Sequence, residues 1–173
     1  MTSNNLKQLI AEYIDFPKKG IIFKDILPIL EHPDIFEGLI NNMTTTSSIF
    51  KNADAIISVD ARGFIFGTAI SMKLSKPMIV ARKPGKLPGK LITKSYDLEY
   101  GSNSLSIQKD VLERYHSFVI VDDLLATGGT VKCIYDIIKE SNKEITGLSV
   151  VIELEKLNAR NLIPFPIESQ IVY

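Results

Sequence analysis

One stretch decides the fold: Phe118-Val119-Ile120-Val121-Asp122-Asp123-Leu124-Leu125-Ala126-Thr127-Gly128-Gly129-Thr130-Val131. Its first four residues are apolar and mostly β-branched, which predicts a short buried strand of a parallel sheet. Asp122 and Asp123 follow at the carboxyl end of that strand, where open α/β sheets bind ligands. The small residues and two glycines at positions 126–130 precede a helical pattern. They predict a turn that aims backbone N–H groups and a helix N-terminus at a phosphate.

The double acid and the turn favour different parts of one ligand. Asp122 and Asp123 would repel a phosphate, but they suit hydroxyl groups or a metal ion beside it. The pattern therefore indicates a phosphorylated sugar. The alternative is a strand, a glycine turn and a helix that bind nothing, but a double acid followed by Thr-Gly-Gly-Thr is more specific than a bare Gly-Gly.

Length and composition indicate an ordinary globular domain. The chain has 173 residues, enough for one domain with a real core. Its 20 basic and 20 acidic residues balance, so nothing indicates a nucleic-acid partner or an anionic membrane surface. The single cysteine, Cys133, cannot form an intrachain disulfide and is expected in a buried, reducing environment. Neither a signal peptide nor a membrane-length apolar run is visible, so we expect a cytoplasmic protein.

Strand and helix patterns alternate along the chain. Apolar residues at helical spacing predict a helix from Leu6 to Ile14, and Pro17 ends it. A second helix begins at Pro33, and later helices are predicted to about Leu74, after Val131, and from Lys156 to Leu162. Strands are predicted at 21–23, 55–59, 78–81, 118–121, 145–152 and 171–173. This alternation predicts an α/β fold with a doubly wound parallel sheet.

A second strand-to-helix turn carries an arginine and a glycine. Asp60-Ala61-Arg62-Gly63-Phe64 follows the strand at 55–59. Arg62 and Gly63 can present a cation and exposed N–H groups together. Alone the signal is weak, because many such turns carry a solvated Arg-Gly.

A basic segment extends from Arg82 to Lys94. Five cations are interleaved there with prolines and glycines, and no acid is present. Such a segment is either a solvated surface loop or a mobile lid over an anion. The sugar-phosphate pattern favours the lid. The residues from Ser95 to Gly101 and the extended run 104–107 predict a hairpin that flanks it.

Four segments together resemble one family. Its ribose-5-phosphate signature, typical of type I phosphoribosyltransferases, matches the stretch from Phe118 to Val131. Over nearly its whole length, the chain resembles the adenine phosphoribosyltransferases. The other segments that carry the resemblance are 15–17 with 23–26, then 60–67, then 82–89 with Tyr96-Asp97-Leu98-Glu99-Tyr100-Gly101.

The resemblance implies a fold and a reaction. The fold would be a single domain, residues 1–173, with a doubly wound, mainly parallel five-stranded sheet and flanking helices. A small N-terminal hood (1–34) would cover the base, and a flexible hairpin lid would span 82–107. The reaction would be Mg²⁺-dependent transfer of ribose 5-phosphate from phosphoribosyl pyrophosphate to N9 of adenine, which gives AMP and pyrophosphate in purine salvage. The family is usually homodimeric.

Site residues follow from the same resemblance. Phe23 and Leu124 would sandwich adenine, and the backbone of Ile22 would read its amino edge. Lys24 would belong to the same base site, where the family usually has Arg. Glu99 would approach N7 as a catalytic residue, and Arg62 would be the second catalytic residue. Arg62 and Gly63 would contact the base and the pyrophosphate, and Arg82, Lys83 and Lys86 would belong to the closing lid. Asp122 and Asp123 would bind the ribose. The phosphate would be bound by Ala126, Thr127, Gly128, Gly129 and Thr130.

Physical chemistry supports these expectations independently. Loss of pyrophosphate leaves an electron-poor ribosyl centre, so catalysis should come from positioning and from cations on the leaving group. Mg²⁺ favours substrate phosphates and hydroxyls, which explains why no metal-ligand cluster is visible in the sequence. His32 and His116 lie outside every motif and are interpreted as structural or surface residues.

Two other functions stay open. A phosphoribosyltransferase for xanthine or hypoxanthine is disfavoured by the N-terminal segment and Glu99. A non-catalytic module that senses the sugar pyrophosphate would be expected to carry a DNA-binding segment and a basic surface, and neither is evident. Fold analogy alone does not separate these functions.

Overall fold

The computed structural model describes residues 6–45, 47–97 and 102–173. Its strands are β1 (Ala11–Ile14), β2 (Ile22–Asp25), β3 (Ala55–Val59), β4 (Met78–Ala81), β5 (Leu91–Asp97), β6 (Ser102–Gln108), β7 (Ser117–Leu125), β8 (Glu144–Glu153) and β9 (Ile167–Val172). Its α-helices are α1 (Pro33–Thr45), α2 (Ser48–Lys51), α3 (Gly63–Leu74), α4 (Lys109–Leu112) and α5 (Gly129–Glu140). Short 3₁₀ helices lie at Leu27–Glu31, Glu155–Leu157 and Ala159–Leu162.

A five-stranded parallel sheet forms the centre of the molecule. Its strand order is β4-β3-β7-β8-β9, and every neighbouring pair is parallel. The chain order reverses between β3 and β7, which makes the carboxyl ends of these two strands the switch point where such sheets bind ligands. The predicted doubly wound α/β fold is therefore confirmed.

Both faces of the sheet are buried, as the unbroken apolar run in β7 predicted. Phe118 and Ile120 pack into the core on one face with α5. Val119 and Val121 pack into the core on the other face with α1 and α3. All four side chains are fully buried. Each such side chain stabilises the fold by roughly 1.5–3 kcal/mol relative to exposure.

A small antiparallel sheet precedes the central one, and it corrects the prediction for Leu6 to Ile14. Only residues 6–9 make a helical turn, and the chain then enters β1, which pairs with β2 so that Tyr13 lies opposite Phe23. The apolar spacing was misleading because Tyr13 and Ile14 do not enter the core. Their exposed fractions are 54% and 78%.

The hairpin begins earlier than predicted. β5 starts at Leu91, inside the segment assigned to the basic loop, and it pairs with β6 through Gln108. The loop proper is therefore 83–90, and Lys94 lies in a strand. An isolated bridge between Arg82 and Ser106 ties the start of the loop to the hairpin. Residues 98–101, between β5 and β6 in the sequence, lie outside the described residues.

Among the remaining predicted elements, three depart from the prediction by more than two residues or in helix type. β7 continues through the two acids to Leu125, because it keeps pairing with β8 as far as Glu153. The predicted helix from Lys156 to Leu162 is two 3₁₀ turns, interrupted by the left-handed residue Asn158. The predicted edge strand at 171–173 is confirmed at the sheet edge but begins at Ile167. In the described ranges, no helix has the length and apolarity needed to span a bilayer.

Candidate active site

Two strand-to-helix turns meet at the switch point. β3 leads into Arg62 and then into α3 at Gly63, while β7 carries Asp122 and Asp123 beside it. A Cβ atom on Gly63 would lie 2.8 Å from Asp122 Oδ1 and 3.1 Å from the carbonyl oxygen of Val121. Glycine is therefore required for this close approach. The predicted partners Arg62, Gly63 and the double acid are brought together.

The two acids occupy different environments. Asp122 and Asp123 are only 9% and 6% exposed. Asp122 Oδ1 accepts a hydrogen bond from the backbone N–H of Asp123 at 2.8 Å. Burial, and next the negative charge of Asp123, raise the pKa of Asp122 well above its usual range. Asp123 instead forms an ion pair with Arg62.

Arg62 connects the acids to the hood. Its Nη2 lies 2.7 Å from Asp123 Oδ2. Its guanidinium carbon lies 4.9 Å from the centre of the Phe23 ring, a cation–π distance. Its Nη1 is buried and has no hydrogen-bond partner among the described residues. This N–H group is available to a ligand acceptor.

An apolar pocket of about 340 Å³ lies between the hood and Arg62. Phe16 packs edge-to-face on Phe23, with ring centres 5.2 Å apart. A pocket walled by aromatic rings and a guanidinium suits a flat aromatic ligand. The lining residues are Tyr13, Phe16, Phe23, Asp25, Leu27 and Arg62.

Four of these lining residues were not assigned to the site from sequence: Tyr13, Phe16, Asp25 and Leu27. Phe16 and Asp25 lie within the motif segments, and that position was the available signal. The sequence pattern predicts a helix at Tyr13, whereas the pairing of β1 with β2 sets Tyr13 opposite Phe23. Asp25 is held in place because it accepts a hydrogen bond from the backbone N–H of Leu27 at 3.1 Å.

Other residues predicted for the base site lie outside the pocket lining. The ammonium of Lys24 pairs with Glu12 and lies 3.9 Å from the centre of the Tyr173 ring. Lys24 therefore fastens the hood to the end of β9. The Ile22 side chain is 52% exposed, and Leu124 is half-buried against the core on the α3 face of the sheet. Their contacts with a base stay predictions.

The 126–130 turn joins β7 to α5. Gly128 adopts φ +85°, a left-handed conformation that favours glycine, and caps α5, which begins at Gly129. A Cβ atom on Gly128 would lie 3.2 Å from Ala159 Cβ, so the 3₁₀ turn at 159–162 supports the loop. The hydroxyl of Thr130 lies 3.1 Å from that of Tyr96 in β5. The turn thus has the backbone geometry expected of an anion site.

The basic segment divides into paired and free cations. Arg82 Nε donates to Asp60 Oδ2 at 2.9 Å, so it braces the turn before Arg62. Lys94 pairs with Glu140 of α5. Lys83 and Lys86 are exposed, and no ion pair involves them within the described ranges. These two remain available to an anionic ligand, whereas Arg82 and Lys94 have structural partners.

The predicted catalytic residue Glu99 lies outside the described residues. In the part of the chain that is described, no group of three or more His, Cys, Asp and Glu side chains could hold a metal ion. Asp122 and Asp123 supply the carboxylate oxygens nearest to the 126–130 turn along the chain. A hard cation that takes most of its ligands from a phosphorylated substrate does not need such a group of side chains.

Comparison with known proteins agrees with this geometry. Residues 26–161 match the phosphoribosyl transferase domain family. The adenine phosphoribosyltransferase of Prochlorococcus marinus strain MIT 9211 is 69% identical over 173 residues, all of both chains. The crystal structure of the enzyme from Thermoanaerobacter pseudethanolicus superposes with a TM-score of 0.91 at 38% identity, over 99% of this chain and 100% of that one. The Saccharomyces cerevisiae enzyme, crystallised with an imino-altritol bisphosphate and adenine, superposes with a TM-score of 0.84 at 30% identity, over 97% of each chain.

Proposed function

The chain belongs to the adenine phosphoribosyltransferases of the phosphoribosyl transferase domain family, and from this premise we propose how its site performs the reaction. The enzyme forms AMP and pyrophosphate from adenine and phosphoribosyl pyrophosphate, a step of purine salvage. One observation carries the site assignment. The aromatic pocket opens onto Arg62, which contacts both Phe23 and Asp123.

Adenine binds in the pocket beneath the hood. Phe23 stacks on one face of the base, and Arg62 approaches the pyrophosphate side. Leu124 covers the opposite face, and the backbone of Ile22 reads the amino edge. Lys24 acts indirectly, because its contacts with Glu12 and Tyr173 hold β2 in place.

The sugar pyrophosphate lies across the two turns. Backbone N–H groups of residues 126–130 and the Thr130 hydroxyl hold the 5′-phosphate. Asp122 and Asp123 face the ribose hydroxyls, and Gly63 exposes its N–H beside Arg62 toward the pyrophosphate. Lys83 and Lys86 supply further positive charge as the loop closes.

In the chemical step, the bond from C1 to pyrophosphate breaks and N9 of adenine forms a bond to C1. Pyrophosphate leaves with the bonding electrons, and the base gives up one proton. That proton passes from N7 to Glu99, so that N9 has a free lone pair for the bond to C1. The arginine and lysines stabilise the charge that develops on the leaving group. Closure of the loop excludes water, which would otherwise intercept the electron-poor ribosyl centre.

A Mg²⁺ ion bound together with the substrate would supply positive charge near the leaving group. Asp122 and Asp123 would hold the ribose hydroxyls beside it. The resemblance to the family also supports a homodimer in the cytoplasm. Analytical ultracentrifugation tests the dimer directly, and a single species at monomer mass would refute it.

A paired substitution tests the base site. Phe23→Ala should raise the KM for adenine roughly tenfold, because an aromatic contact is lost, while the KM for phosphoribosyl pyrophosphate changes little. Ile14→Ala is the matched control, since Ile14 lies in the adjacent strand, is 78% exposed and does not line the pocket. Equal effects of the two variants would remove Phe23 from the base site.

A further inference from the structure

Tyr96 ties the hairpin to the 126–130 turn. Its Oη lies 3.1 Å from Thr130 Oγ1, and either hydroxyl could donate. The ring packs against the core beneath α5. The same strand is fastened to α5 at two more points, because Lys94 pairs with Glu140 and the Cys133 thiol donates to the Lys94 carbonyl at 3.3 Å. The hairpin therefore packs against α5, the helix whose first residues form part of the proposed phosphate site.

A ligand phosphate would give this bond a direction. A threonine hydroxyl has one proton and two acceptor lone pairs. If Thr130 donates its proton to a phosphate oxygen, it can only accept from Tyr96. The tyrosine then donates to Thr130, and Thr130 donates to the phosphate. Each bond in such a chain strengthens the next.

We propose that Tyr96 is a positioning residue that couples binding of the 5′-phosphate to placement of the hairpin. Glu99, the residue proposed to receive the proton, follows Tyr96 by three positions in the sequence. Occupation of the 126–130 turn thereby fixes β5, the strand that carries Tyr96. This inference rests on the proposed function, because it requires a phosphorylated ligand at Thr130.

The first test measures affinity for AMP and for adenine by calorimetry. Tyr96→Phe should weaken the binding of AMP about fivefold, which is the effect of one ordinary hydrogen bond. The affinity for adenine should stay unchanged. In a Thr130→Val background, Tyr96→Phe should have no further effect, because the tyrosine acts through the threonine hydroxyl. Ser95→Ala is the matched control. It removes a hydroxyl that bonds Ser104 Oγ at 2.8 Å on the exposed face of the same hairpin, and it should leave AMP affinity unchanged.

The second test measures the coupling itself and needs no change at Thr130. Hydrogen exchange in peptides covering β5 and β6 should slow when the parent protein is saturated with AMP. In Tyr96→Phe, saturation should slow exchange at the 126–130 turn but no longer in the hairpin.

Three results would overturn the proposal. The first is an unchanged AMP affinity in Tyr96→Phe, and the second is an equal loss of AMP affinity when Tyr96→Phe is made in the Thr130→Val background. The third is that AMP slows hydrogen exchange in the Tyr96→Phe hairpin as much as in the parent hairpin. These outcomes are distinct from failure of the proposed function. In that case the parent protein itself would form no AMP from adenine and phosphoribosyl pyrophosphate.

Discussion

Replacing Asp122 with Asn is expected to stabilise the fold while it impairs catalysis. The Asp122 side chain is almost fully buried, and its carboxylate is further disfavoured by the charge of Asp123. Asparagine keeps the shape and can still accept the 2.8 Å hydrogen bond from the Asp123 N–H. Removal of a buried ionisable group should raise the free energy of unfolding by about 1–2 kcal/mol near neutral pH.

The pH dependence fixes the sign of this effect. Because the folded pKa of Asp122 is raised above its ordinary 3.8, the folded state holds its proton to a higher pH than the unfolded chain does. Stability of the parent therefore falls as pH increases from 3.8 toward the folded pKa. The stability advantage of Asp122→Asn should be small in acid, grow across that window and then stay constant.

Catalysis should change in the opposite direction. A hydrogen bond from a ribose hydroxyl to a carboxylate contributes about 1.5–3 kcal/mol, so kcat/KM for phosphoribosyl pyrophosphate should fall roughly 10- to 150-fold. Asp123→Asn is the matched comparison. It should also reduce kcat/KM, but it should destabilise the fold, because Arg62 loses its partner at 2.7 Å.

Urea unfolding from pH 4 to 8, with steady-state kinetics on the same samples, provides the assay. A destabilised Asp122→Asn with the pH slope of the parent would refute the account of the buried pair. If Asp122→Asn and Asp123→Asn both keep the kcat/KM of the parent for phosphoribosyl pyrophosphate, the two acids do not bind the ribose.

Three other predictions concern neighbouring parts of the site. Glu99→Leu should lower turnover with adenine about 10²–10⁴-fold while binding of phosphoribosyl pyrophosphate, measured by calorimetry, stays nearly unchanged; near-normal turnover would remove Glu99 from catalysis. Gly63→Ala should destabilise the protein by about 1–3 kcal/mol and reduce activity, because its Cβ would meet Asp122 Oδ1 at 2.8 Å; parent-like melting and kinetics would show that the turn tolerates a side chain. Trypsin should cleave the loop after Lys86 or Lys90, which are not followed by proline, more slowly once phosphoribosyl pyrophosphate and Mg²⁺ are added. Adenine alone should have little effect, and equal cleavage rates with and without the ligand would indicate a solvated surface loop.

Local sequence patterns were sufficient to predict the structure where a single requirement, such as burial of a strand, determines the residue types. The continuous apolar run in β7 predicted burial on both sheet faces, and β3 and β4 were located at their observed bounds. The double acid and the glycine turn lie at the predicted end of the sheet. In each case the pattern of neighbouring residues was sufficient for the prediction.

Residues whose role depends on distant partners were harder to predict. Tyr13 and Ile14 are apolar at helical spacing, yet they belong to a strand because β2 supplies their hydrogen bonds. The local sequence places Lys94 in a basic loop, but Lys94 pairs with Glu140 of α5, which is distant in sequence. Lys24 was assigned to the base by resemblance, but its contacts with Glu12 and Tyr173 depend on how the hood meets β9.

The most direct test of the central claim is a base-selectivity assay. The purified protein is incubated with phosphoribosyl pyrophosphate, Mg²⁺ and one of adenine, hypoxanthine, xanthine or guanine, and nucleotide formation is followed by chromatography. We predict rapid formation of AMP with stoichiometric pyrophosphate from adenine, and little product from the oxopurines. Preferential formation of an oxopurine nucleotide, or no nucleotide with any base, would contradict the account.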